Sequence, residues 1–206
     1  MELRGFMHEM ILTELEDAVG VENVSHSSDQ KLAYGTDYFW LARMTVDKGG
    51  DPALPDYVVR PGCAEEVSKV LKIANYYKLP VQTWGGGSGS QGGALPMAGG
   101  IVLDIKRMDK LLDIDTKAGT ITCETGMIFQ TLEWYANEQG FSVMHLPSCL
   151  TCCTVGGALA HNGIGILSTK YGKIDDQCLS VEVALPNGDI INTLPVLSLI
   201  HISEPT

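Results

Sequence analysis

Trp84 to Gly93 reads Trp-Gly-Gly-Gly-Ser-Gly-Ser-Gln-Gly-Gly, with no Lys, Arg, Asp or Glu in the run. Glycine has no Cβ and reaches positive φ freely, so such a loop can present consecutive backbone N–H groups at close range. Peptide dipoles arranged this way suit a phosphate or pyrophosphate that receives no basic side chain. A P-loop would end in Gly-Lys-Ser/Thr, but Gly89 is followed by Ser90 and Gln91, which argues against a nucleotide triphosphatase. G-x-G-x-x-G is formally present at Gly87, Gly89 and Gly92, with Asp113 about 20 residues further on as a Rossmann site asks. That fingerprint must open a helix, and Gly93-Ala94-Leu95-Pro96-Met97-Ala98-Gly99-Gly100 forbids one. The Rossmann match is accidental.

Six cysteines are present: Cys63, Cys123, Cys149, Cys152, Cys153 and Cys178. Cys149-x-x-Cys152-Cys153 invites a metal reading, with His145 and His161 nearby. No second Cys/His pair stands at zinc-site spacing, and Leu150, Thr151 and Thr154 suit close packing, so buried structural thiols are preferred and no metal is expected.

The elements that must position these residues follow from periodicity. Met1 to about Gly20 is an amphipathic helix with Met7, Ile11, Leu15 and Ala18 on one stripe. Residues 25–55 read as a polar, irregular lead-in. Tyr57 to Pro61 is a strand; Cys63 then stands where Ser or Thr normally caps a helix that buries Val67, Val70, Leu71 and Ala74. Leu79 to Thr83 and Gly100 to Asp104 are further strands, so the glycine run follows the crossover helix of a β-α-β unit. Beyond it, 111–115 and 120–124 form a hairpin, and Met127 to Gln139 is a helix with Ile128, Leu132 and Tyr135 inward. Phe141 to His145 is extended. Thr154 to Gly163 is a second glycine-bearing loop entering a helical turn. Val181, Val183 and Leu185 alternate along a strand that ends at the tight Asn187-Gly188 turn.

A formal net charge of −11 argues against a nucleic-acid partner. No apolar run approaches the roughly 20 residues of a membrane span. The N-terminus lacks a signal-peptide pattern, and the cysteines read as reduced thiols, so a cytoplasmic setting is expected.

The ordered set of Pro61 with Glu65-Glu66-Val67, the run Gly85 to Ser90 with Gly92 to Pro96, Ile101 to Asp104 with Arg107-Met108, Gly126, Pro147-Ser148, Thr154 to Gly157 with Asn162-Gly163, Lys170-Tyr171-Gly172 and Leu185 to Gly188 resembles one known family. It is the FAD-binding (PCMH-type) domain family that includes vanillyl-alcohol oxidase and p-cresol methylhydroxylase, in its D-lactate dehydrogenase and glycolate oxidase flavin-subunit branch. The resemblance implies an α+β fold of two lobes, a small βαβ lobe and a larger mixed β-sheet lobe with flanking helices. It divides the chain into a helix and lead-in (1–55) and an incomplete FAD-binding domain (56–196, lobes 56–108 and 109–196). Residues 197–206 look like the in-frame translation of a sequencing adapter and are set aside. On that reading the natural chain continues past Val196 and the C-terminal cap domain is missing.

The same resemblance implies that Gly85, Gly86, Gly87, Ser88, Gly89 and Ser90 wrap the FAD pyrophosphate. Pro147, Ser148, Thr154, Gly156, Gly157 and Asn162 then line the rest of a cofactor held between the lobes. It implies an FAD-dependent oxidoreductase taking a hydride from the α-carbon of a 2-hydroxy acid such as D-lactate or glycolate, with an electron acceptor or partner subunit. Substrate clamp and base would belong to the cap, so no catalytic residue is assigned and the fragment is expected to be inactive. No histidine lies between Tyr77 and Gly100 to tether the flavin; Cys152 superficially matches a cysteinyl pattern, but dissociable FAD is preferred. Two alternatives stay open: a UDP-N-acetylenolpyruvoylglucosamine reductase-type flavoenzyme, and a non-catalytic FAD-binding relay subunit.

Overall fold

Val58, Val59, Ile101 and Val102 have no exposed surface, and strands this apolar on both faces belong to a parallel sheet covered on each side. The structure, a computed structural model, describes residues 2–193. Its central sheet has the order β1-β2-β4-β3, comprising β1 (Val24–Ser25), β2 (Tyr57–Val59), β3 (Val81–Trp84) and β4 (Ile101–Asp104). β4 lies between β2 and β3 and runs parallel to both, with Val58 opposite Val102 and Thr83 opposite Leu103. The short β1 adds an antiparallel edge.

The helix α4 (Ala64–Tyr77) is the crossover between β2 and β3, and it buries Val67, Val70 and Ala74. Cys63 holds the N-cap position without a side-chain hydrogen bond, and the helix ends on Lys78 at φ 57. The N-terminal helix α1 (Glu2–Val19) packs beside α4 over the same sheet face. Its inward stripe is Ile11, Leu15, Ala18 and Val19, while Met7 is exposed. Each large aliphatic fully buried there contributes about 1.5–3 kcal/mol. The lead-in is more regular than its composition suggests, since α2 (Ser28–Ala33) and α3 (Trp40–Asp47) form within it, neither with a buried residue.

The second lobe opens with the hairpin β5 (Leu111–Asp115) and β6 (Thr120–Cys123), bulged between Leu111 and Asp113. In its turn, the Asp115 carboxylate accepts from the Lys117 and Ala118 amides, and Gly119 takes φ 69. The helix α5 (Phe129–Glu138) buries Phe129, Leu132, Glu133 and Ala136. Ile128 is its N-cap residue instead of an inward one, so the buried face is rotated from the predicted one. Residues 141–147 form no strand; Met144 sits at φ 60. Three short helices follow: α6 (Val155–Ala160), α7 (Ser168–Tyr171) and α8 (Ile174–Gln177). A last hairpin, β7 (Glu182–Ala184) and β8 (Ile190–Asn192), turns at Asn187-Gly188 and docks on α4, where the buried Ser68 hydroxyl donates to the Gly188 carbonyl. The fold is thus α+β in two lobes, and among the described residues the second-lobe strands stand as two separate antiparallel hairpins. The adapter-like tail expected at 197–206 lies outside the described residues.

Candidate functional site

The glycine run leaves the C-terminal end of β3, the end of a parallel sheet where α/β proteins place ligands. Its base is fixed by two strand-end residues. Trp84 packs edge-on against Tyr34, with ring centroids 5.1 Å apart. Asp104, at the end of β4, accepts the Tyr34 hydroxyl at 2.6 Å and the Lys106 amide at 3.0 Å, with Lys106 Nζ 3.3 Å away. Burial and this carboxylate push the Tyr34 phenol well above its usual range, so it remains a donor. Gln82 reaches past the strand end and donates to the Gly93 carbonyl at 2.6 Å, tethering the far end of the loop.

Between those anchors, none of the amide N–H groups of Gly85, Gly86, Gly87, Ser88, Gly89 and Ser90 donates to a protein acceptor among the described residues. Gly85 to Ser88 are half-buried and Gly89 and Ser90 exposed, so this row of unpaired donors is open to an acceptor from outside the protein, as an anion-binding loop requires. A Cβ on Gly89 would meet nothing within 4 Å, while Gly87 sits at φ 61 against the Trp84 indole.

The second lobe forms the facing wall. A Cβ on Gly86 would overlap the Cys152 carbonyl, and one on Gly85 would come within 2.5 Å of Thr154 Oγ1. Thr154, fully buried, caps α6 by accepting the Gly157 amide at 3.1 Å. The Gly156 amide donates to the Thr125 carbonyl at 2.8 Å. The Gly156 and Gly157 donors of this second loop are therefore used within the protein, and what these glycines offer the cleft is shape. Pro147 and Ser148 line the same cleft, Pro147 accepting the Leu150 amide in a turn. Asn162, at φ 50, also lines it. With its amide oriented to satisfy its neighbours, Asn162 donates to Asp175 and accepts from Lys173, each at 2.9 Å, so its side chain is committed to the start of α8. The twelve residues singled out in the sequence all border one broad, open cleft whose lining also takes in α4, the β5–β6 hairpin and the β7–β8 hairpin.

The cysteines Cys149, Cys152 and Cys153 also line the cleft, and all six are free. Cys152 is exposed and its thiol donates to the Cys149 carbonyl at 3.3 Å. Burial, and then the neighbouring Cys149, push the Cys153 thiol up to about 12. His145 is fully buried against Phe129, 5.2 Å between centroids, while His161 is exposed. Among the described residues, no three His, Cys, Asp or Glu side chains converge as metal ligands.

The sequence matches the family described as FAD binding domain over residues 55–194. The chain belongs to that family. Among curated relatives of this FAD domain, the glycolate oxidase subunit GlcD of Bacillus subtilis is 31% identical over 180 residues, 87% of this chain and 36% of that protein. The D-lactate dehydrogenase of Archaeoglobus fulgidus is 40% identical over 135 residues, 66% of this chain and 30% of that protein. The chain thus spans about a third of the length of these relatives. Among solved structures, an alkyldihydroxyacetonephosphate synthase superposes with a TM-score of 0.84 at 26% identity, over 94% of this chain and 40% of that one. A substrate-bound p-cresol methylhydroxylase superposes with a TM-score of 0.75 at 27% identity, over 90% and 35%. Among the described residues, no helix of the FAD domain is long and apolar enough to cross a membrane.

The residues present fit the cofactor of this family. An uncharged loop with unpaired amides answers a diphosphate, and the second-lobe backbone packed against Gly85 and Gly86 closes the space behind it. The lead-in wraps the loop through Tyr34 beside Trp84, Tyr38 on the Gly87 carbonyl and Phe39 beside Gly92, contacts that its polar, irregular sequence does not specify.

Proposed function

We propose that this chain is the cofactor-holding part of an FAD-dependent 2-hydroxy-acid dehydrogenase or oxidase. D-Lactate and glycolate are the first candidate substrates. The observation that carries the reading is the row of free amides from Gly85 to Ser90 in a cleft walled by Cys152 to Gly157. The relatives named as glycolate oxidase subunit and D-lactate dehydrogenase support the substrate class.

In this reading, Gly85 to Ser90 hold the diphosphate by backbone donation, while Pro147, Ser148, Thr154, Gly156, Gly157 and Asn162 border the remaining length. Bound FAD supplies an oxidised isoalloxazine able to take a hydride equivalent from the α-carbon of a hydroxy acid. The protein's own part here is to fix the diphosphate loop against the second lobe and exclude water behind it, through the tight Gly85–Thr154 and Gly86–Cys152 contacts. The cofactor is held without a covalent bond, because no histidine flanks the loop and the Cys152 thiol already donates to the Cys149 carbonyl. The electron acceptor is a separate small molecule or partner subunit.

Purified protein is expected to be yellow, or to turn yellow on adding FAD, and acid precipitation should release the flavin to the supernatant. Flavin remaining in the pellet would refute noncovalent binding. A colourless protein that takes up no FAD would refute the cofactor role. The substrate class is tested by reduction of a dye acceptor by the full-length gene product with D-lactate and glycolate; inactivity with both would remove the 2-hydroxy-acid reading while leaving the cofactor role in place.

A further inference from the structure

Two consecutive residues of the N-terminal lead-in, Tyr38 and Phe39, contact the glycine loop. The Tyr38 amide donates to the Gly87 carbonyl at 3.2 Å. The Phe39 ring fills the space beside Gly92, where a Cβ would come within 2.9 Å of the ring; Gly92 itself sits at φ 75. Asp37 sets the geometry of both. It is 8% exposed, and its Oδ1 accepts the Phe39 amide at 2.8 Å, closing an Asx turn around Tyr38. Its second oxygen has no partner among the described residues.

The Tyr38 contact has a directional consequence. In a trans peptide, the C=O of one residue and the N–H of the next lie in one plane and point in opposite directions. Holding the Gly87 carbonyl toward Tyr38 therefore turns the Ser88 N–H away from it, and that N–H meets no protein acceptor. Without the strap, the Gly87–Ser88 peptide is free to flip, since glycine tolerates both orientations.

We propose that Asp37 is a positioning residue of the diphosphate site: by closing the turn at Tyr38–Phe39 it locks the Gly87–Ser88 peptide with the Ser88 amide toward the ligand. This rests on the FAD reading above and adds a residue from outside the matched family segment. Asp37 acts through its Oδ1 as a hydrogen-bond acceptor, a role that an amide oxygen at the same position can also fill. α3, which begins just after the turn, buries none of its residues, so starting that helix does not account for a buried Asp37.

The test is a titration of the apo-chain with FAD, followed by quenching of flavin fluorescence, for wild type, Asp37→Ala and Asp37→Asn. Asp37→Ala is expected to raise Kd about tenfold, equal to about 1.4 kcal/mol. Asp37→Asn keeps the Oδ1 acceptor and is expected to bind within about twofold of wild type, a rescue that general loosening of the lead-in would not give. A second readout needs no variant: exchange of the Ser88 amide in wild type should slow at least about tenfold on saturation with FAD. Unchanged affinity in Asp37→Ala, equal weakening in both variants, or a Ser88 amide indifferent to FAD would each overturn the proposal. A wild-type chain that takes up no FAD would instead overturn the cofactor reading on which it rests.

Discussion

The backbone of Gly86 lies directly against the carbonyl of Cys152, so that a single methyl group on Gly86 would occupy the carbonyl's place. The two lobes meet there, main chain to main chain. Both sides are backbone, so no rotamer change can relieve an added atom.

Gly86→Ala should accordingly destabilise the chain by about 1–3 kcal/mol or more, lowering the melting temperature by about 2–4 °C for each kcal/mol. Gly89→Ala adds its methyl to open space and should melt within about 0.5 kcal/mol of wild type. Thermal unfolding of both variants followed by circular dichroism gives the contrast. Equal melting temperatures would mean the lobes do not meet at Gly86.

Thr154 caps α6 from a fully buried position. Thr154→Val keeps the shape but leaves the Gly157 amide without its acceptor, at a cost of about 1 kcal/mol, with up to about 2 in favourable hosts. Thr154→Ser retains the hydroxyl and should recover most of that loss. Denaturant midpoints for the pair decide the matter; a Ser variant no better than Val would show that the cap is not what Thr154 contributes.

His145 has both ring nitrogens buried and without partners among the described residues, and desolvation lowers its pKa below 6.5. The neutral ring is the form the fold accepts. At pH values between the folded and unfolded pKa, the unfolded chain binds the extra proton, so stability rises with pH in that window. The contribution is fully present above pH about 6.5 and is lost as pH falls toward the depressed folded value. His145→Leu should flatten that part of the stability–pH curve while matching wild type at pH about 8. An unaltered slope below pH about 6.5 in the variant would assign the effect elsewhere.

The cysteines should separate by reactivity. Cys152 is exposed, whereas Cys153 is buried with its thiol raised to about 12, and burial also raises Cys123 to about 11. Since the thiolate is the nucleophile, moving a thiol from 9 to about 12 lowers its reactive fraction at pH 8 about a thousandfold. Brief alkylation followed by peptide mapping should find Cys152 labelled first and Cys153 last. If FAD occupies the cleft, saturation with it should slow labelling of Cys152.

Much of the site was legible in the sequence because its chemistry is backbone chemistry. The run Gly85 to Ser90 announces free amides by lacking side chains, and its position after an apolar strand put it at a sheet end. The β-α-β unit was legible from Val67, Val70 and Ala74 at helical spacing between two short apolar runs. The rotated face of α5 was not, because Ile128 pairs with Thr154 in an isolated bridge and so leaves the helix as its cap. The helices α2 and α3 were not legible because α2 is a six-residue polar helix and α3, although Trp40, Leu41 and Met44 share one side, is only eight residues long and buries none of them.

The sequence by itself determined an uncharged, glycine-built anion loop, an α+β chain and the family to which it belongs, because local propensity and ordered motifs are written along the chain. Tertiary structure alone decided which donors are free. Gly156 and Gly157 look as open as Gly87 in sequence, yet their amides are taken by Thr125 and Thr154. Those of Gly85 to Ser90 find no acceptor among the described residues. A hydrogen bond depends on where distant segments come to lie, and that placement is set by the packing of one lobe against the other.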